Sequence, residues 1–110
     1  MHIQNIWVSQ RMLRRKEQIA EMIRTLDDGG WLPPITIIQN EKDEFQLEDG
    51  HHRLAAYWLA GRDRLEKGEY ILVQKDQWKP SHGKVDIFIR ELKTLASPSL
   101  RERLSSRTEQ

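Results

Sequence analysis

The stretch Leu47–Gly61, LEDGHHRLAAYWLAG, decides how the rest of this chain is read. Just before and into it, Phe45 and Leu47 alternate with Gln46 and Glu48, the two-residue period of a half-buried strand. Beyond Arg53, the apolar residues Leu54, Ala55, Trp58 and Leu59 recur at helical spacing, and Gly61 is a natural stop. Between the two patterns lies Asp49-Gly50-His51-His52-Arg53. A strand therefore hands over to a helix with almost no loop, and polar side chains gather at the helix start. The N–H groups of a first helical turn lack partners, and the helix dipole adds roughly half a positive charge there. Such a handover attracts anions, phosphate above all.

Working outward, the run PPITII reads as a strand, since two prolines oppose a helix start and β-branched residues follow. NEKDE is a polar turn, so this strand and the one ending in the motif make a hairpin. Upstream, Ile19, Met22, Ile23 and Leu26 form a helical stripe that Gly29-Gly30 terminates, and Ile3–Val8 is a candidate first strand. Downstream, the short apolar run YILVQ suits a covered strand. Residues 84–96 fit a strand through Val85, Ile87 and Ile89, but Val85, Phe88, Ile89, Leu92 and Leu95 fit a helix over a longer span, and helix is the better fit. Ser97 and Pro98 then suit an N-cap and a first helical residue. The order strand, helix, hairpin, helix, strand, helix predicts an α+β domain over residues 1–96, with 97–110 a short C-terminal helix or frayed tail.

Composition narrows the chemistry. At 110 residues the chain suits one domain and can bury roughly two-thirds of its unfolded surface. It contains no cysteine, which removes disulfides, thiol nucleophiles and thiolate metal sites. Eighteen Lys and Arg against seventeen Asp and Glu leave a net charge of +1, so overall charge makes no case for nucleic acid. No segment approaches a membrane span or signal-peptide length, which sets a cytoplasmic expectation.

The candidate site centres on Gly50, His51, His52 and Arg53, as a cradle for a nucleotide or another phosphorylated small molecule. Gly50 lets the backbone approach a ligand, Arg53 offers a bidentate fork, and the histidines add donors whose charge depends on pH. A phosphate bound beside His52 would favour its imidazolium form. A plainer reading stands beside this one. Asp49 could simply cap the helix, and in a regular helix His51 falls on the same stripe as Leu54, Ala55 and Trp58, where it would be buried and hydrogen-bonded. Glu48 and Asp49 are candidate magnesium ligands next to ligand phosphates, with Asp49 and His51 as candidate catalytic groups. Adjacent histidines diverge by about 100° on a helix, which suits a shared zinc poorly. The cluster Arg11, Arg14, Arg15 and Lys16 could meet nucleic acid or a nucleotide's outer phosphates, or be a solvated face. Trp58 reads as core, while Trp31 and Trp78 suit either a core edge or the flank of a base.

DGHHRLAA, preceded by GGWLPPITIIQNEKDEFQLE, resembles the ParB/sulfiredoxin-like superfamily. The shared pattern is Gly-x-x-Arg-x-x-Ala, met by Gly50, Arg53 and Ala56, and the likeness covers about residues 3–75. The resemblance implies a small mixed sheet with the motif helix packed on it, and a nucleotide-phosphate site at that helix's N-terminus. The departures limit what carries over. Sulfiredoxins have a catalytic cysteine where this chain has His51, so their reductase chemistry is excluded. Chromosome-partition ParB proteins usually have Glu-Arg-Arg after the glycine and carry a Glu-Asn-x-Gln-Arg-like motif and a helix-turn-helix domain; neither follows YILVQKD here. Free-serine kinases of the same fold share Asp-Gly-His-His-Arg but use a glutamate before the first helix, where WVSQRMLRR has no acid and Glu17 is the nearest. The expected function is a binding or regulatory domain for a nucleotide, with magnesium where phosphates require it. The alternatives are a phosphotransferase, nuclease or NTPase of the same fold, and a DNA-binding accessory protein.

Overall fold

The computed structural model describes residues 1–10, 13–80, 83–93 and 98–108. The segment expected as a strand over Ile3–Val8 divides into a 3-10 turn, Ile3–Asn5, and a short strand β1, Ile6–Trp7. The backbone bonds explain the division. Ile3 N–H donates to the Asp63 carbonyl at 2.9 Å, and Leu65 N–H donates to the Met1 carbonyl at 2.8 Å. The first residues are thus tied to the segment after the motif helix, and only Ile6 and Trp7 pair with the sheet.

Helix α1, Lys16–Asp27, buries Ile19 and Ile23 and packs Met22 and Leu26 against the core, so its apolar stripe lies where the spacing puts it. Gly29, at φ +81°, reverses the chain, and Gly30 N–H closes the end on the Thr25 carbonyl at 2.8 Å. Strands β2, Ile35–Gln39, and β3, Phe45–Asp49, form the expected antiparallel hairpin. Buried Asn40 organises its turn: Oδ1 accepts from the N–H groups of Lys42 at 3.0 Å and Glu44 at 2.9 Å. Helix α2, His51–Leu59, follows at once. Strand β4, Tyr70–Gln74, and helices α3, Asp86–Lys93, and α4, Pro98–Thr108, complete the chain.

The sheet order is β1-β3-β2-β4, with β2–β3 antiparallel and β1–β3 and β2–β4 parallel. The domain is therefore α+β with a mixed sheet. Register and the two-residue period place Ile6, Leu47, Ile35 and Ile37 on one face, all fully buried. Ile19 and Ile23 of α1, Leu54 and Trp58 of α2, and Phe88 and Leu92 of α3 join them in one core. Helix α2 is buried almost all round, from Leu54 to Leu59, because α1 and α4 pack on it as well. One expectation needs correction. YILVQ is not a covered strand: β4 is an edge strand, with Ile71 53% and Leu72 44% exposed, since among the described residues no element lies beyond it. In the tail, Leu100 and Leu104 of α4 are buried, and Arg103 and Arg107 pair with Asp27 and Asp63. Ser97, Leu95 and the 96/97 boundary lie outside the described residues.

Candidate functional site

The handover from β3 to α2 turns on one residue. Gly50 is the N-cap of α2 at φ +105° and ψ 35°, in the left-handed region that L side chains rarely adopt. A Cβ there would lie 2.6 Å from Ile35 Cγ2, and Ile35 is fully buried and cannot give way. Glycine is required both by the backbone and by the space. A glycine N-cap brings no side-chain oxygen, and no side chain caps α2. Asp49, a candidate cap in the sequence, instead pairs with Arg53, with Oδ2 3.2 Å from the guanidinium. The first-turn N–H groups of α2 keep their polarity, and the dipole of α2 stands behind them.

The two histidines do something the anion reading did not foresee. His51 is 3% exposed, on the core stripe, and its Nε2 accepts from Ser9 N–H at 3.1 Å. Ser9 Oγ stands 3.3 Å from the same nitrogen and 3.3 Å from the Leu47 carbonyl, and the Phe88 ring meets the imidazole edge-on at 6.4 Å. His52 is half-buried, and its Nε2 accepts from Arg15 N–H at 3.0 Å. An acceptor at Nε2 requires the proton on Nδ1, so both rings are neutral in these bonds. Burial agrees. It pushes His51 down to about 4, helped by the neighbouring His52 and opposed by Asp49. Burial also lowers His52, with the Arg15 charge adding to it and Glu17 opposing. The pair holds the two ends of the Ser9–Arg15 segment against α2. Both Nε2 atoms accept, where the sequence reading had the histidines donating to phosphate.

Arg53 is committed as well. One guanidinium nitrogen donates to the carbonyls of Pro33 at 2.9 Å and Pro34 at 2.8 Å, and the other reaches Asp49. The prolines have no N–H, but their carbonyls are good acceptors, and Arg53 uses them to fix the entry to β2 against α2. Its charge stays at the mouth of the turn, balanced by an Asp49 carboxylate that is 75% exposed. Glu48 is not brought to the same place. It pairs with Lys75 at 2.6 Å, as expected for neighbours on a strand, whose side chains point to opposite faces. Among the described residues, no group of three or more His, Cys, Asp or Glu is placed to hold a metal ion. His2 bridges to Arg64 far along the chain, and His82 lies outside the described residues.

The basic cluster is the unexpected neighbour. Arg11 lies outside the described residues, and Lys16 pairs with Glu91 at 3.3 Å. Arg14 and Arg15 are exposed, and Arg15 is the N-cap of α1, again with no side-chain cap. Because Arg15 N–H binds His52, the start of α1 stands beside the start of α2, and the exposed Arg14 and Arg15 lead into α1. The sequence separates these residues by nearly forty positions, so nothing in the local pattern links them. Pro33 and Pro34 were missed for a simpler reason: they act through backbone carbonyls, which carry no signal in residue type, and Ser9 likewise acts through its N–H, with its Oγ beside the same histidine. Trp31 does not cover a core edge; it is 80% exposed, in the loop that leads to Pro33. Trp78 is half-buried, and its carbonyl accepts from Asn40 Nδ2 at 3.2 Å.

Among the described residues, no helix is long and apolar enough to cross a membrane. No curated protein and no solved structure matches the chain significantly. The description "ParB N-terminal domain" does match, over residues 1–80, a span that holds all four strands, α1, the Gly50 turn and α2. By that match, and with the mixed sheet and glycine-led helix that accompany it, the chain belongs to the ParB N-terminal domain family.

Proposed function

We propose that this domain binds a nucleotide, or another ligand with a phosphate chain, at the joined N-termini of α2 and α1. The observation that carries the reading is the His52–Arg15 bond, which sets two helix starts without side-chain caps next to each other. One helix N-terminus attracts a phosphate; two, with Arg14 and Arg15 exposed beside them, suit a di- or triphosphate better than a single one. In this reading the backbone N–H groups of His51, His52 and Arg53 do the binding, and the histidines position them. Arg53 can turn one nitrogen from exposed Asp49 to a phosphate without losing the proline carbonyls. Asp49, freed in that exchange, is the carboxylate available to a magnesium ion, which ordinarily takes one or two carboxylates plus ligand phosphates. Glu48 has no part in it.

A thermal-shift panel of nucleoside di- and triphosphates, serine and duplex DNA, with and without magnesium, tests this. A ligand at a hundredfold its Kd should add about 2.7 kcal/mol of stability. The Arg14→Gln/Arg15→Gln chain should keep its unliganded midpoint and lose most of the nucleotide shift. Stabilisation by DNA alone would favour the accessory-protein reading. Glu17 favours one further reading, phosphoryl transfer or hydrolysis. It lies in the first turn of α1, close enough to His52 to oppose the lowering of its pKa, and so brings a carboxylate to the same cradle. Phosphate release from a nucleoside triphosphate, lost in Glu17→Gln with binding intact, would support it.

A further inference from the structure

We infer that the free edge of β4 pairs with the same edge of a second copy of this chain, antiparallel and centred on Leu72. Strand β4 bonds to β2 on one side only. The phase of that ladder is fixed at both ends: Ile35 N–H donates to the Glu69 carbonyl at 3.1 Å, and Lys75 N–H donates to the Gln39 carbonyl at 2.9 Å. With a two-residue period, odd-numbered residues face β2, and the N–H and C=O groups of Tyr70, Leu72 and Gln74 point away from it. Among the described residues, no hydrogen bond reaches those groups.

Native edges are normally blunted by charge, proline, a bulge or a covering element. Tyr70-Ile71-Leu72-Val73-Gln74 contains no charged residue, proline or glycine, and its ladder with β2 runs without a register shift. Ile71 and Leu72 are two of the three large hydrophobic residues that stand exposed on the molecule's described surface.

The strand is complementary to itself in one register. With a two-fold axis at Leu72, Leu72 faces the partner's Leu72 and Tyr70 faces the partner's Gln74. All of these residues have outward-pointing backbone groups, so each N–H meets a C=O. The closer, non-bonded positions place Ile71 against the partner's Val73 and Glu69 against the partner's Lys75. Glu69 is already held by Arg62 at 2.6 Å and Lys75 by Glu48 at 2.6 Å. Pairing extends these into rows of alternating sign: Arg62, Glu69, the partner's Lys75, the partner's Glu48. A parallel pairing would set Glu69 on Glu69 and Lys75 on Lys75, which is repulsive. The charges choose the antiparallel copy. One strand edge is a small interface, so the dimer forms reversibly and with concentration.

Sedimentation of the whole chain up to about 1 mM, the weak end of specific association, tests this. The weight-average mass should rise from 13.1 kDa towards twice that value. Leu72→Pro removes only an outward N–H and no bond to β2, so it should leave the unfolding midpoint close to wild type and hold the chain monomeric. Leu72→Cys decides the matter if the proline chain does not fold. The sequence has no cysteine, and Cα atoms of a bonded antiparallel pair lie about 5.5 Å apart, within disulfide range, so mild oxidation should give a covalent dimer. A wild-type chain that stays monomeric throughout, a dimer that survives in a folded Leu72→Pro chain, or a Leu72→Cys chain that does not cross-link would each overturn the pairing. A monomer would leave this edge to a strand from a different protein.

Discussion

Acidification should release the Ser9–Arg15 segment through His51, and the size of the effect follows from its surroundings. Free imidazole chemistry puts the pKa of an unfolded histidine at 6.5, whereas the buried ring sits at about 4. Between these values the unfolded chain binds the proton and the folded one does not, so stability rises with pH across the window. The contribution is fully present above pH 6.5 and is lost as pH falls towards 4. Integrating over one group, the loss relative to pH 7 is under about 1 kcal/mol at pH 6, about 2 at pH 5 and about 3 at pH 4. That is a large share of the roughly 5–15 kcal/mol by which a domain of this size is stable. Other groups titrate over the same range, His52 in the same direction. The comparison is therefore with His51→Gln, whose amide oxygen can accept from Ser9 N–H but does not titrate. Urea unfolding of both chains at pH 7, 6, 5 and 4 gives the difference directly. Wild type should lose stability relative to the glutamine chain by the amounts above. Parallel curves, or a wild type that gains on acidification, would show that His51 is neither buried nor neutral, and the histidine clamp would fail with it.

Three further substitutions probe the turn and the core. Gly50→Ala should cost about 2–4 kcal/mol in chemical denaturation, since a Cβ meets Ile35 at 2.6 Å on a backbone at φ +105°; a cost under about 0.5 would mean the turn relaxes freely. Arg53→Ala should lower stability by about 1–3 kcal/mol, because the carbonyls of Pro33 and Pro34 lose their shared donor, and Arg53→Lys should recover only part of it. Trp58→Ala should cost about 3–5 kcal/mol, the ring being 5% exposed under the Arg107 guanidinium 3.8 Å from its centroid; thermal unfolding reads it, and an unchanged midpoint would contradict the burial.

What the residues disclosed and what they concealed divide along a physical line. The hairpin, the helix after Gly50 and the stripe of α1 were legible because periodicity and turn chemistry are local, and a glycine between a strand and a helix has few uses. The position of His51 was legible too, since helical phase alone puts it among Leu54, Ala55 and Trp58. Acceptors and donors on the backbone were not. Ser9 N–H, Arg15 N–H and the proline carbonyls decide what His51, His52 and Arg53 do, yet any residue type supplies an N–H or C=O. Sheet position was also hidden. YILVQ reads the same whether helices cover it or it lies at an edge, because the run is apolar on both faces. Arg15 and His52 show the same limit from the other side: each was noticed as a charge-bearing residue, and only the fold puts one against the other.

The proposed phosphate site rests on the backbone N–H groups at the start of α2. The most direct measurement is an amide-resolved NMR titration of the 15N-labelled chain with a nucleoside triphosphate and magnesium at pH 7.5 (about one unit above the histidine reference value, so that both rings are neutral). Saturable shifts are expected, largest at the amides of His51, His52, Arg53 and Arg15, with β4 unmoved. Shifts confined to other parts of the domain, or no saturable change at those four amides up to about 10 mM ligand, far weaker than the millimolar end of specific binding, would contradict it.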